Sequence, residues 1–280
     1  MNLRTARSAD VPALKALWAL CFGDEASYID RFFEDLFLPE HMVVCDDGDA
    51  PVSMVAFLPC TLRTPAGDFP CAYLYAMATH PQYQGRGLGQ QLLRFAYDYA
   101  RERRGWVGLT LVPADEGLFR FYAKTDYQTA FSYQSVSWTG EPSPHSGAVS
   151  PITPEEYRRL RELLLTGRVH LDHSLPFLTH LNREVRRTGG GLFRLELPGS
   201  GPGCAVAERG EDGLWQVKEL LAPKALHQQA LAALARHLGT DKLTARTPVE
   251  DPTQARPFGM ARWPEPMPDF SGAYLGLALD

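Results

Sequence analysis

The chain has no apolar run approaching membrane-spanning length, and its first residues, Met1 to Ser8, lack the hydrophobic core of a signal peptide. These absences predict a cytoplasmic protein without a membrane partner. Basic charge is also in short supply. The 28 Lys and Arg against 33 Asp and Glu leave a formal net charge of -5, and broad nucleic-acid binding needs the opposite balance. A basic cluster, Arg101, Arg103 and Arg104, falls where a helix is predicted to end, and cations there suit the helix dipole. The five cysteines (Cys21, Cys45, Cys60, Cys71, Cys204) are scattered with no Cys-x-x-Cys pair, which excludes a disulfide framework or zinc knuckle and predicts reduced core thiols. His170 and His173 flank Asp172 with no third ligand cluster nearby, so a polar loop is expected and no metal is assigned.

What is present is an ordinary globular composition, 45% hydrophobic and 22% charged over 280 residues, enough for one large or two modest domains. Leu3 to Arg7 reads as a strand. Ser8 or Asp10 can cap a helix whose inner face holds Val11, Leu14, Leu17, Trp18 and Cys21. A second helix, Asp24 to Leu38, carries Tyr28, Ile29, Phe32, Phe33 and Leu36. Met42–Cys45 and Val52–Leu62 around Asp47-Gly48 read as a hairpin, and Thr64 to Asp68 turns the chain into a strand over Cys71–Thr79.

That strand enters Gln84-Gly85-Arg86-Gly87-Leu88-Gly89, and Leu92, Leu93, Phe95, Ala96, Tyr99 and Ala100 follow at helical spacing. Glycines before a helix let backbone N–H groups approach an anion at the positive end of the dipole. Gln90 stands where a dinucleotide fingerprint needs glycine, and Gln90-Gln91 replaces the Lys-Ser/Thr of a P-loop, so neither of those phosphate sites fits. Trp106–Val112 is a further strand, Asp115 can cap a helix over Glu116–Lys124, and Thr129–Thr139 supplies closing strands.

The pattern Gln/Arg-x-x-Gly-x-Gly/Ala, with Ala76 to Pro81 before it and Leu118 to Lys124 after it, resembles the acetyl-CoA loop, splayed fourth strand and tyrosine helix of the GNAT superfamily of N-acetyltransferases. The resemblance implies a mixed α/β GNAT fold and acetyl-CoA as co-substrate, with no metal. It places the pantetheine and thioester contacts on backbone atoms of Met77, Ala78 and Thr79. The pyrophosphate would lie on Gln84, Gly85, Arg86, Gly87, Leu88, Gly89 and Gln90, with Gln90 the first helical residue. Tyr122 matches the family's general acid, the alternative being a core tyrosine beside its neighbours Leu118, Phe119 and Phe121. Asp126-Tyr127 departs from the family's Gly-Phe, and Asp115 stands where asparagine is common. Glu34, Asp115, Glu116, His80 and the terminal carboxylate of Asp280 stay open as bases, beside a water chain or an already neutral amine. Trp18 and Phe22 are candidates for an acceptor pocket or for core.

Residues 141–149, rich in Pro, Ser and Gly, read as a linker between a catalytic domain over 1–140 and a second domain over 150–280. Thr153, Pro154 and Glu156 form a capping box. The order of two helices, three strands, a helix and a strand then repeats the first half. Leu221 to Gln228 lacks paired glycines, so this would be a degenerate second GNAT-like domain. A catalytic half followed by a degenerate half resembles Eis-type acetyltransferases of bacteria, without the sterol-carrier-like domain. The expected activity is acetyl transfer to a primary amine of a small molecule or peptide, with homo-oligomerisation open; the alternative is a non-catalytic acyl-CoA-binding regulatory module.

Overall fold

The computed structural model describes residues 1–141, 146–210 and 212–279. The chain runs β1 (Asn2–Thr5), α1 (Val11–Phe22), α2 (Ala26–Asp35), β2 (Met42–Asp46), β3 (Pro51–Thr64), β4 (Gly67–Thr79), α3 (Leu88–Arg104), β5 (Gly108–Leu111), α4 (Glu116–Ala123) and β6 (Gln128–Thr139). It continues β7 (Ala148–Pro151), α5 (Pro154–Leu164), β8 (His170–His173), α6 (Leu175–Arg187), β9 (Gly191–Glu196), β10 (Gly203–Arg209), β11 (Trp215–Leu221), α7 (His227–Leu238), β12 (Lys242–Thr247) and β13 (Arg256–Arg262). This is the mixed α/β architecture expected of a GNAT fold.

Two compact units interleave in sequence. The first holds Met1–Leu62, Asp68–Thr129 and Gly259–Asp269; the second holds Arg63–Gly67, Ala130–Phe258 and the tail from Phe270. Of the expected linker, residues 142–145 lie outside the described residues, and Ala148–Pro151 form β7, paired antiparallel with β9.

In the first unit β1, β2 and β3 pair antiparallel, β4 and β5 pair parallel, and Met260 to Arg262 of β13 lie antiparallel on β5. This last strand was not expected from sequence. Its partner explains Gly108: a Cβ there would sit 2.0 Å from the Trp263 ring, so the glycine leaves the space that the indole fills. The core packs Leu92, Leu93, Ala96 and Ala100 of α3 against Val43, Val55, Phe57, Ala72, Leu74 and Leu109 of the sheet. Gly105 ends α3 with φ 68°, and within the basic cluster Arg104 lies over Trp106 and bonds His41.

In the second unit the antiparallel ladders β7–β9–β10–β11 meet β12, which is parallel to β11 and antiparallel to β6. A parallel pair thus flanks α7 as β4 and β5 flank α3. The expected capping box forms: Thr153 Oγ1 accepts from the Glu156 N–H, and the Glu156 carboxylate accepts from the Thr153 N–H. His170–His173 is a buried strand and not the polar loop expected, because Leu171 N–H and the Arg161 guanidinium tie it inside. Arg161, 1% exposed, also donates to Glu219 at 2.9 and 3.2 Å and to the Leu275 carbonyl at 3.1 Å, holding the C-terminal tail indoors.

His173 stacks on Phe177 and bonds the Leu275 carbonyl. Burial, assisted by the Arg161 guanidinium, lowers its pKa to about 3. A folded pKa below the unfolded value of about 6.5 means that the unfolded state binds the proton first, so stability present above pH 6.5 is lost as pH falls toward 3. Buried His227 and half-buried His41 act with the same sign. Denaturant unfolding at pH 7.5 and 5 should show the loss, and His173→Gln should flatten it.

Candidate functional site

Three local features of β4 and α3 build the site. The first is a bulge: Ala76, a non-glycine residue, has φ 50°. Before it, Tyr73 and Tyr75 stack with each other while Ala72 and Leu74 pack in the α3-side core. Beyond it the alternation reverses, and Met77 joins that same core. The bulge therefore sends Tyr75 toward Trp18 and Phe32 and Met77 toward the start of α3. The second is strand divergence. β4 pairs with β5 at Cys71, Ala72 and Tyr73, and then runs on to Thr79 beyond that ladder.

The third is the loop. Gly85 and Gly87 hold φ 75° and 74°, where side chains are rarely accommodated, and a Cβ at either would meet almost nothing. Their requirement is conformational. Gly89 differs: a Cβ there would lie 3.0 Å from Met77 Cε and 3.3 Å from Phe121 Cζ, so this glycine lets α3 close onto β4 and α4. The helix begins at Leu88 and not at Gln90 as expected, because Gly87 turns the chain as N-cap and Leu88 already packs on Cys45 and Val52. No side chain caps this N-terminus. Its N–H groups are the natural seat for a phosphate.

The loop is tied to its surroundings. Gln84 Nε2 donates to the Thr79 carbonyl at 3.0 Å, and Tyr83 OH donates to Asp47 Oδ2 at 2.5 Å. With backbone donors added, this holds the Asp47 carboxyl at about 2. Arg86 is exposed, its guanidinium 5.2 Å over the Tyr83 ring.

Ser53, in the apolar run of β3, was not singled out from sequence. Its hydroxyl is fully buried and lies 2.8 Å from both the Ala78 carbonyl and Thr79 Oγ1. The only signal was a lone hydroxyl between Val52 and Met54.

Tyr122 sits on α4, capped by Asp115, whose Oδ1 accepts from the Leu118 N–H at 2.9 Å. Its ring packs against Phe121 and Tyr127, its side chain is 9% exposed, and burial raises its phenol to about 12. Asp126 takes φ 65° where the family has glycine, and its carboxylate pairs with Arg262 at 3.3 Å. The other ionisable candidates divide clearly. His80 Nδ1 accepts from the Gln82 N–H, so the neutral ring carries its proton on Nε2 and has no free lone pair. Asp115 serves as a cap; Glu34 and Glu116 are exposed; Asp280 lies outside the described residues.

Trp18 is 1% exposed and donates to Asp24, as a core residue does, whereas Phe22 is 47% exposed. Tyr28 and Tyr75 share a hydrogen bond at 2.7 Å, and burial pushes the Tyr75 phenol well above its usual range. A cavity of about 400 Å³ against Asp98, Glu102, Trp106 and Pro264 belongs to the opposite end of α3, about 25 Å from the glycines by helical rise. No group of three or more His, Cys, Asp or Glu is arranged to hold a metal among the described residues.

Residues 2–130 match a family model described as an acetyltransferase (GNAT) domain. Over these residues the chain is similar to GNAT acetyltransferase domains. Among solved structures, a GCN5-related N-acetyltransferase from Anabaena variabilis superposes with TM-score 0.73 at 19% identity, over 94% of this chain and 72% of that one. One from Kribbella flavida gives 0.69 at 18% identity, over 94% and 70%. Eis1 from Mycobacterium abscessus gives 0.64 at 14% identity, over 94% and 74%. These likenesses are of fold, and they extend beyond residue 130. No curated protein matches it in sequence. No helix among the described residues is long and apolar enough to cross a membrane.

Proposed function

We propose that this GNAT domain is an acetyl-CoA-dependent N-acetyltransferase acting on a primary amine. The observation that carries the reading is the uncapped N-terminus of α3 behind two left-handed glycines, beside the free-running end of β4. The residues present fit the group: open space at Gly85 and Gly87 admits a diphosphate, and Gly89 allows α3 to close on Met77. Acetyl-CoA, when bound, supplies the acetyl group as a thioester. Gln84 through Gln90 hold the diphosphate through backbone N–H groups, and Arg86 adds charge at the rim. Met77, Ala78 and Thr79 orient the pantetheine arm and thioester with main-chain groups beyond the β4–β5 ladder. Tyr122 keeps its proton at Oη throughout the neutral range, ready for a departing thiolate. GNAT enzymes act on amines, and an amine arriving neutral needs no side-chain base. The second unit has Pro223 and a short 3-10 turn where the first has its glycines, and His227 folds back on the Ala222 carbonyl, so it is read as the degenerate half.

The packed environment of Tyr122 favours a second reading, an acyl-CoA-binding module without turnover. Calorimetric titration with acetyl-CoA and CoA, followed by thiol release across a panel of amines, separates them. Micromolar binding with turnover is expected; binding with no turnover on any amine would favour the module, and no binding would overturn both.

A further inference from the structure

Two hydroxyls meet at the end of β4, and their protons are assigned by their partners. Ser53 Oγ has one proton, and the Ala78 carbonyl, 2.8 Å away, can only accept it. The 2.8 Å contact between Ser53 Oγ and Thr79 Oγ1 must therefore use the Thr79 proton. Ser53 is fully buried, so no solvent offers another arrangement. The Thr79 carbonyl is occupied as well, accepting from Gln84 Nε2 at 3.0 Å and from Cys21 Sγ at 3.6 Å. What the half-exposed Thr79 side chain has left is a pair of hydroxyl lone pairs. They belong to an oxygen 3.8 Å from where a Cβ of Gly89 would stand, so the hydroxyl lies against the first turn of α3.

We propose that Ser53 is a positioning residue that makes the Thr79 hydroxyl an obligate proton acceptor, reserved for an N–H or O–H of the acyl carrier arm. This rests on the reading of the α3 loop as an acyl-CoA cradle. An acceptor in this place repels phosphate oxygens, which the α3 N–H groups attract, and welcomes the amides and hydroxyl of pantetheine. The two neighbouring features thus sort the ends of one ligand: diphosphate to the helix, arm to the strand. Ser53 never touches the ligand; it acts by spending the Thr79 proton.

Calorimetric titration with CoA tests this in the wild type, Thr79→Val, Thr79→Ser, Ser53→Ala and the Thr79→Val/Ser53→Ala double variant. Losing one neutral hydrogen bond is expected to weaken CoA about five- to tenfold in Thr79→Val, with Thr79→Ser near wild type. Ser53→Ala should weaken CoA alone and add nothing once Thr79 is Val, since both act through one proton. Wild-type affinity in Thr79→Val, or losses that multiply in the double variant, would overturn the inference and leave the cradle standing. A wild-type protein that binds no CoA would overturn the cradle itself. Should Ser53→Ala fail to fold, the contrast between Val and Ser at position 79 still decides.

Discussion

Tyr122→Phe is expected to lower amine-dependent thiol release by about a hundredfold or more at neutral pH, while CoA affinity changes by less than about twofold. The variant removes one oxygen and leaves the ring in its place against Phe121 and Tyr127. Tyr122 Oη forms no hydrogen bond to a described residue, and its pKa is raised by burial alone. No protein hydrogen bond is therefore lost, and the melting temperature should stay within a few degrees, so lost turnover could not be ascribed to unfolding. A phenol held at about 12 stays protonated well beyond neutrality, and the wild-type rate should not decline through this group as pH rises to 9. Its effect on stability has a definite sign. With the folded pKa above the unfolded value of about 10, its contribution is intact below pH 10 and fades between 10 and 12. Undiminished thiol release by Tyr122→Phe at pH 7 and 9 would remove this residue from the chemistry and restore it to the core.

The other large effect belongs to Gly87. Gly87→Val should abolish measurable CoA binding, because a β-branched residue at φ 74° is strained by more than the roughly 1–2 kcal/mol an ordinary side chain costs there. The strain falls on the residue whose carbonyl accepts the first helical hydrogen bond, from the Gln91 N–H at 3.1 Å. Relieving it moves the donors of α3 away from the loop. Space is not the limit, since a Cβ here would come no closer than 4.0 Å to the Gln91 side chain. Gly87→Asn should therefore retain much of the affinity, because asparagine tolerates the left-handed region. Equal loss in Asn and Val would assign the effect to bulk, and undiminished binding in Val would sink the role of the loop.

The parts of the site legible in sequence were those whose cause is local. Glycine at 85 and 87 announces positive φ, and Asp115 and Thr153 announce caps. Asp126 was visible as a departure from the family's glycine, and the structure shows why it is tolerated: Asp accepts φ 65° and its carboxylate meets Arg262. The helix start was misjudged because the sequence offers three glycines and only packing shows that Leu88, already buried, belongs to the first turn.

The features that escaped were those with distant causes. β13 was missed because its reason for existing, the vacancy at Gly108, is filled by Trp263 from the far end of the chain. The strand at His170–His173 looked polar because Arg158, Arg161 and Arg63, which satisfy its carboxylate and carbonyl, lie elsewhere in sequence. Ser53 looked like an incidental hydroxyl in an apolar run.

Local sequence thus determined the mixed α/β elements, the phosphate-suited loop and the tyrosine helix, since dihedral preference, capping and hydrophobic period act within a few residues. Tertiary structure alone decided that Ala76 bulges to turn Met77 toward α3, that Ser53 directs the proton of Thr79, and that Gly259–Asp269 completes the first unit. Each depends on which side chains meet across strands, and that is settled by packing and hydrogen-bond satisfaction over long separations, where short-range pattern carries no information.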